Sequence, residues 1–78
     1  MQPVTRIILI RHGETDWNTQ TRIQGHIDIA LNRRGRWQAQ RLGAALADEG
    51  LAAVYSSDLQ RARETAQAVA DASGLSVQ

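Results

Sequence analysis

The 78-residue chain has no cysteine, no lysine and no phenylalanine, and a single proline, Pro3. Without cysteine there is no disulfide, no thiolate zinc site, no iron-sulfur cluster and no thiol nucleophile, a composition that suits a reducing compartment. Every one of the nine side-chain cations is an arginine, set against eight carboxylates for a net charge of +1. That balance gives no broad basic field for nucleic acid or anionic lipid, so neither is expected as a partner. No apolar run approaches the roughly 18 residues of a membrane span. Met1, Gln2 and Pro3 lack the charged head and apolar middle of a signal peptide, and a soluble, cytoplasmic chain is expected. Only three aromatics occur, Trp17, Trp37 and Tyr55, so with 42% hydrophobic residues the core is built from Ala, Leu, Ile and Val. A chain this short makes at most one small domain, burying only about 60% of the surface its unfolded form exposes.

What is present reads as alternating strands and helices. Ile7, Ile8, Leu9 and Ile10 form a continuous apolar run, β-branched at three positions, as expected of a parallel strand buried on both faces. Residues 12–31 are polar and without periodicity, and are expected to be a long functional connection. A helix is predicted over 33–49, with Asn32 as N-cap, Gly50 as stop, and Trp37, Leu42, Ala45 and Leu46 on one face. Gly43, unfavourable in a helix interior by about 1 kcal/mol, implies close packing against a neighbour. Residues 51–55 read as a second strand. Ser57 and Gln60 then match a capping box opening a second helix, which Gly74 stops, and residues 75–78 read as the start of a third strand. The expected class is α/β, a parallel sheet with right-handed crossovers. Such a sheet needs helices on both faces. Two helices and two and a half strands are too few, so residues 1–78 are expected to be the N-terminal β-α-β-α-β part of a single larger domain, with the remainder absent.

Ligands bind outside the carboxyl ends of strands in such sheets. Two polar clusters fall there: Arg11, His12, Gly13, Glu14 and Thr15 after the first strand, and Ser56, Ser57 and Arg61 after the second. If those strands are neighbours, Arg11, His12 and Arg61 converge beside the N-terminus of the second helix. Helix N–H groups attract anions and the guanidinium fork matches phosphate oxygens, so the expected ligand is a phosphate group. A neutral imidazole placed there can attack phosphorus and split one phosphoryl transfer into two.

The ordered set Arg11-His12-Gly13-Glu14-Thr15-Asp16-Trp17-Asn18, Arg22-Ile23-Gln24-Gly25-His26-Ile27-Asp28, Leu31 with Gly35, and Ser57-Asp58-Leu59-Gln60-Arg61-Ala62 with Thr65-Ala66 resembles the histidine phosphatase superfamily, the phosphoglycerate mutase-like proteins. The resemblance implies a three-layer α/β/α fold, with His12 as the phosphorylated nucleophile and Arg11 and Arg61 as its phosphate pocket. It also implies substrate contacts at Asn18, Gln24, Gly25 and Ser57. Gln24 and Gly25 lean toward the phosphatase branch. The substrate implied is a small phosphorylated metabolite, with no metal and no cofactor, a bisphosphoglycerate primer entering only if the protein is a mutase. Members also carry a general-acid carboxylate after the third strand begins and a second pocket histidine much later. Neither position falls within 78 residues, so the leaving-group proton donor is expected outside them.

The remaining polar residues have plainer roles. Glu14 is expected to hold Arg11 or the loop, and Asp16 and Asp28 to cap turns. His12 and His26 alone make a poor zinc site. Arg33, Arg34, Arg36 and Arg41 are expected on the solvated face of the first helix, partly balanced by Asp48 and Glu49, and Arg63 to point away from Arg61. An unpaired edge at the third strand invites a second copy, so a homodimer is also an expectation. Three functions stay open: phosphomonoester hydrolysis through phospho-His12, a cofactor-dependent phosphoglycerate mutase, and a truncated, non-catalytic phosphate-binding fragment.

Overall fold

A computed structural model of the chain describes residues 6–16 and 28–78. Two helices dominate these residues: α1, Arg33–Leu46, and α2, Gln60–Ser73. Helix α1 starts where its cap predicts. Asn32 is extended, and its side-chain oxygen accepts a 2.7 Å hydrogen bond from the Gly35 N–H, one of the donors a first helical turn leaves without a partner. The helix ends three residues before the predicted 49. Ala47 and Glu49 donate to the carbonyls of Ala44 and Leu46, three residues back, so the last turn tightens out of α geometry ahead of Gly50, at φ 67°.

The start of α2 corrects the capping-box prediction. Ser57 is exposed, and the helix begins three residues later, after Leu59, which has no side-chain cap bond of its own. The cap comes instead from far along the chain: Asp28 accepts from the Gln60 N–H at 2.6 Å and from the Gln60 side-chain amide at 3.3 Å. A carboxylate also matches the positive end of the helix dipole, which a serine does not. The other end is as predicted. Gly74 is left-handed at φ 70°, Leu75 N–H bonds Ala70 O and Gly74 N–H bonds Asp71 O, the paired closure of a Schellman motif.

The helices pack through small residues. The buried positions of α1 are Gly35, Ala39 and Gly43, four apart on one ridge, and those of α2 are Arg61, Thr65, Val69 and Ala70. A Cβ on Gly43 would lie 2.6 Å from the Ala68 carbonyl oxygen, so this glycine is where the backbones meet. The predicted face is therefore rotated. Leu42 and Leu46 are half-buried, but Ala45 is exposed and Trp37 is 55% exposed. A large ring on the ridge would hold the helices apart, and Trp37 instead lies outside with the guanidinium carbons of Arg34 and Arg41 each 6.0 Å from its ring centroid.

The strands are far less developed than predicted, and no strand is formed among the described residues. Residues 51–55 and 75–78 meet in one parallel bridge, Val54 to Val77, flanked by bonds from Gln78 N–H to Val54 O at 2.9 Å and from Ser56 N–H to Gln78 O at 3.3 Å. The parallel sense is as expected for a crossover through α2. Residues 7–10 depart most: Ile7 is 80% and Leu9 91% exposed, not buried. An interior parallel strand needs a neighbour along each edge and a cover on each face, and among the described residues none does this for residues 7–10. Just before them Arg6 makes an exposed ion pair with Glu49 at 3.2 Å, which engages a carboxylate expected to balance the helix arginines. No helix among the described residues is long and apolar enough to cross a membrane.

Alanine at position 43 sets two effects against each other. Propensity favours it by about 1 kcal/mol, whereas overpacking costs about 1–3 kcal/mol. Because the obstacle is backbone on a facing helix, Gly43→Ala is expected to lower stability by about 1 kcal/mol or more, read as a lower urea midpoint at unchanged slope.

Candidate functional site

Residues 11–15 are held against the helix pair by a set of bonds that leaves little freedom between Gly13 and Glu14. The Gly13 N–H donates to Thr65 Oγ1 at 3.0 Å, and the same hydroxyl donates to the Arg61 carbonyl at 2.8 Å. The Glu14 N–H donates to Gln38 Oε1 at 2.9 Å, and the Glu14 carbonyl accepts from the Asn32 N–H at 2.9 Å. The Glu14 carboxylate accepts from the Asn32 amide at 3.0 Å and lies 3.8 Å from Arg34 Nε. Gly13 and Gly35 make this approach possible. A Cβ on Gly13 would run into the Gly35 carbonyl, and one on Gly35 into the Glu14 backbone.

His12 is half-buried, with Nδ1 2.7 Å from the Gly13 carbonyl oxygen. A carbonyl can only accept, so Nδ1 is the donor, and in the neutral ring Nε2 is the nitrogen that keeps its lone pair. Arg11, itself exposed, and His12 line a cleft of about 160 Å³ together with Gly13, Gln38, Leu42 and Thr65. Glu14 lines an adjoining hollow with Arg11, His12 and Gln38. Arg61 is 6% exposed, on the first turn of α2, and its carbonyl accepts from the Thr65 hydroxyl, but it is not among the residues lining the cleft with Arg11 and His12. Arg63 is exposed, on another side of the helix.

Ser57 is exposed, its carbonyl accepting from the Ser56 hydroxyl, and it is not among the residues lining the cleft. Asn18, Gln24 and Gly25, with Trp17 and His26, lie outside the described residues. Glu14 holds the loop as expected, through Asn32 and Arg34. The arginine run is less free than expected, since Arg36 donates to the Leu31 carbonyl at 2.9 Å. The Leu31 N–H in turn donates to Glu64 Oε1 at 3.3 Å, so both polar groups of that peptide segment are held by helix side chains.

Gln38, Asn32 and Thr65 were not read as site residues from the sequence. Thr65 has a signal, since it lies four residues after Arg61 and so on the same helix face. Gln38 has only its place beside Ala39, which becomes meaningful once the buried ridge of α1 is known.

The loop carrying Arg11 and His12 is thus bonded to side chains of both helices, and the two residues share a cleft with Gln38, Leu42 and Thr65. Comparison with known proteins places the chain further. The family model for the histidine phosphatase superfamily, branch 1, matches residues 7–78, and the chain belongs to that family. It is 55% identical over 65 residues to phosphoglycerate mutase-like protein 4 of Arabidopsis thaliana, covering 82% of this chain and 28% of that one. It is 52% identical over 68 residues to a metal-independent phosphoserine phosphatase of the same plant, covering 86% and 29%. Among solved structures, a mycobacterial glucosyl-3-phosphoglycerate phosphatase complexed with VO3 superposes with a TM-score of 0.84 at 39% identity, over 86% of this chain and 32% of that one. The described residues thus share the fold of histidine phosphatases, and the chain spans about a third of the length of the relatives it matches.

Thr65→Val keeps the side-chain shape while removing the acceptor for the Gly13 N–H. A buried donor left without a partner costs about 1–3 kcal/mol, and Thr65→Ser should recover most of it, both read by urea unfolding.

Proposed function

We propose that this chain carries the phosphate-accepting part of a phosphomonoesterase that works through phospho-His12. The observation that carries the reading is the 2.7 Å bond from His12 Nδ1–H to the Gly13 carbonyl, which leaves the Nε2 lone pair available in a cleft shared with Arg11. In the first step Nε2 attacks the ester phosphorus, a P–N bond forms and the P–O bond to the alcohol breaks, its electron pair leaving on an oxygen that takes a proton. In the second, water attacks phosphorus, the P–N electrons return to Nε2 and inorganic phosphate departs. Arg11 and Arg61, with the start of α2, neutralise the phosphoryl oxygens. Asn18, Gln24, Gly25 and Ser57 contact the rest of the substrate, a small phosphorylated metabolite, in a cytoplasmic setting. Glu14 is not the proton donor, because its carboxylate is committed to Asn32 and Arg34.

Hydrolysis is favoured because two of the similar proteins are phosphatases by name, one of them complexed with VO3. The mutase reading has support in the name of the phosphoglycerate mutase-like relative. In a mutase the phosphoryl group returns to a hydroxyl rather than to water.

Incubation with a phosphomonoester is expected to leave acid-labile, base-stable phosphate on His12 Nε2, identified by phosphorus NMR and absent in His12→Ala. Orthovanadate at about 100 times its Kd should raise the melting midpoint by roughly 10 degrees or more, a shift lost in Arg11→Ala and Arg61→Gln. A vanadate shift without phospho-His12 would replace this reading with non-catalytic phosphate binding. Phosphoglycerate isomerisation without net phosphate release would replace it with the mutase.

A further inference from the structure

We propose that Gln38 is a positioning residue for His12, acting through the single peptide group that joins Gly13 to Glu14. This inference rests on the reading of His12 as the nucleophile. The N–H of that peptide group donates to Gln38 Oε1 at 2.9 Å, and its carbonyl accepts from His12 Nδ1 at 2.7 Å. In a trans peptide the N–H and C=O point in opposite directions from one rigid plane. Anchoring the N–H on Gln38 therefore aims the carbonyl at the imidazole.

The amide orientation of Gln38 is fixed by the same chemistry, because a backbone N–H can only donate and so meets the side-chain oxygen. A hydrogen bond on the N–H side also polarises the peptide, making its carbonyl a stronger acceptor for Nδ1–H. The preceding peptide is held independently, its Gly13 N–H bonded to the buried Thr65 hydroxyl. Thr65 fixes where the loop sits on α2. Gln38, from α1, fixes the rotation of the plane that faces the ring. The result is one neutral tautomer, proton on Nδ1 and lone pair on Nε2, held before substrate arrives.

The test compares Gln38→Leu, which removes the acceptor, with Gln38→Glu, which keeps one. Nitrogen NMR of the neutral His12 ring is expected to show the Nδ1–H tautomer in the wild type and in Gln38→Glu, and a mixture of tautomers in Gln38→Leu with its fold intact by circular dichroism. Formation of phospho-His12 should slow on the order of 10- to 100-fold in Gln38→Leu, with half-saturating ester concentration little changed and Gln38→Glu restoring the rate. Should Gln38→Leu not fold, Gln38→Met serves the same comparison. An unchanged tautomer in the folded apolar variant, or Gln38→Glu behaving like Gln38→Leu, overturns the proposal. The tautomer does not depend on turnover. If it responds to Gln38 while no phospho-His12 forms in the wild type, the positioning role stands and the phosphoryl-transfer reading falls.

Discussion

The backbone of Gly13 and Glu14 lies directly on the first turn of α1, with no room for a Cβ on Gly13 or Gly35. Much of the described architecture follows from that approach. Two backbones this close expose their polar groups to each other and exclude water, so each group needs a partner supplied by the protein. Asn32 provides several of these at once. Its backbone N–H meets the Glu14 carbonyl, its side-chain amide meets the Glu14 carboxylate, and its side-chain oxygen caps Gly35. The N-cap of α1 is thereby also the clamp on the histidine loop. Register along α1 and placement of His12 are consequently one constraint.

The same economy recurs on α2. Its N-terminal donor is capped by Asp28, thirty-two residues earlier, and its Glu64 accepts from Leu31. Both helices thus end the connection from residue 28 to 32 and are themselves tied by it. Small residues on the α1 ridge let this happen, because only a short interhelical distance brings Thr65 of α2 and Gln38 of α1 onto adjacent peptides of one loop.

Local signals were legible in the sequence and cooperative ones were not. The Asn32 cap, the Gly74 stop and the close approach at Gly43 are set by a few neighbouring residues, and each is found as expected. Ser57 failed as a cap because a distant carboxylate offers α2 a better electrostatic match than a nearby hydroxyl, and no local pattern encodes a partner thirty-two residues away. Trp37 was placed on the packed face by hydrophobicity alone, whereas the ridge selects for size and admits only glycine and alanine. Residues 7–10 carry the composition of a buried strand, but burial is a property of what lies alongside, and a strand's own residues cannot provide it. At the cleft, Arg11 and His12 stand out in the sequence by side-chain chemistry, and both line it. Gln38 and Thr65 act through backbone groups, which leave no signature in side-chain type.

The contrast between residues 7–10 and the loop that follows them bears on how the His12 ring is oriented. A strand end is the usual platform for a catalytic side chain in α/β proteins, and its rigidity comes from the sheet. Here the four residues before Arg11 are exposed, with no backbone hydrogen bond among the described residues, yet the two peptides after His12 are each bonded to a helix side chain. The side-chain bond of His12 runs to the second of those peptides, on the helix side of the loop and not the strand side. Orientation of the imidazole is therefore inherited from the α1–α2 pair. A sheet built along residues 7–10 would set where the loop begins, whereas the bond that holds the His12 ring is set on the helix side, by Gly13, Thr65 and Gln38.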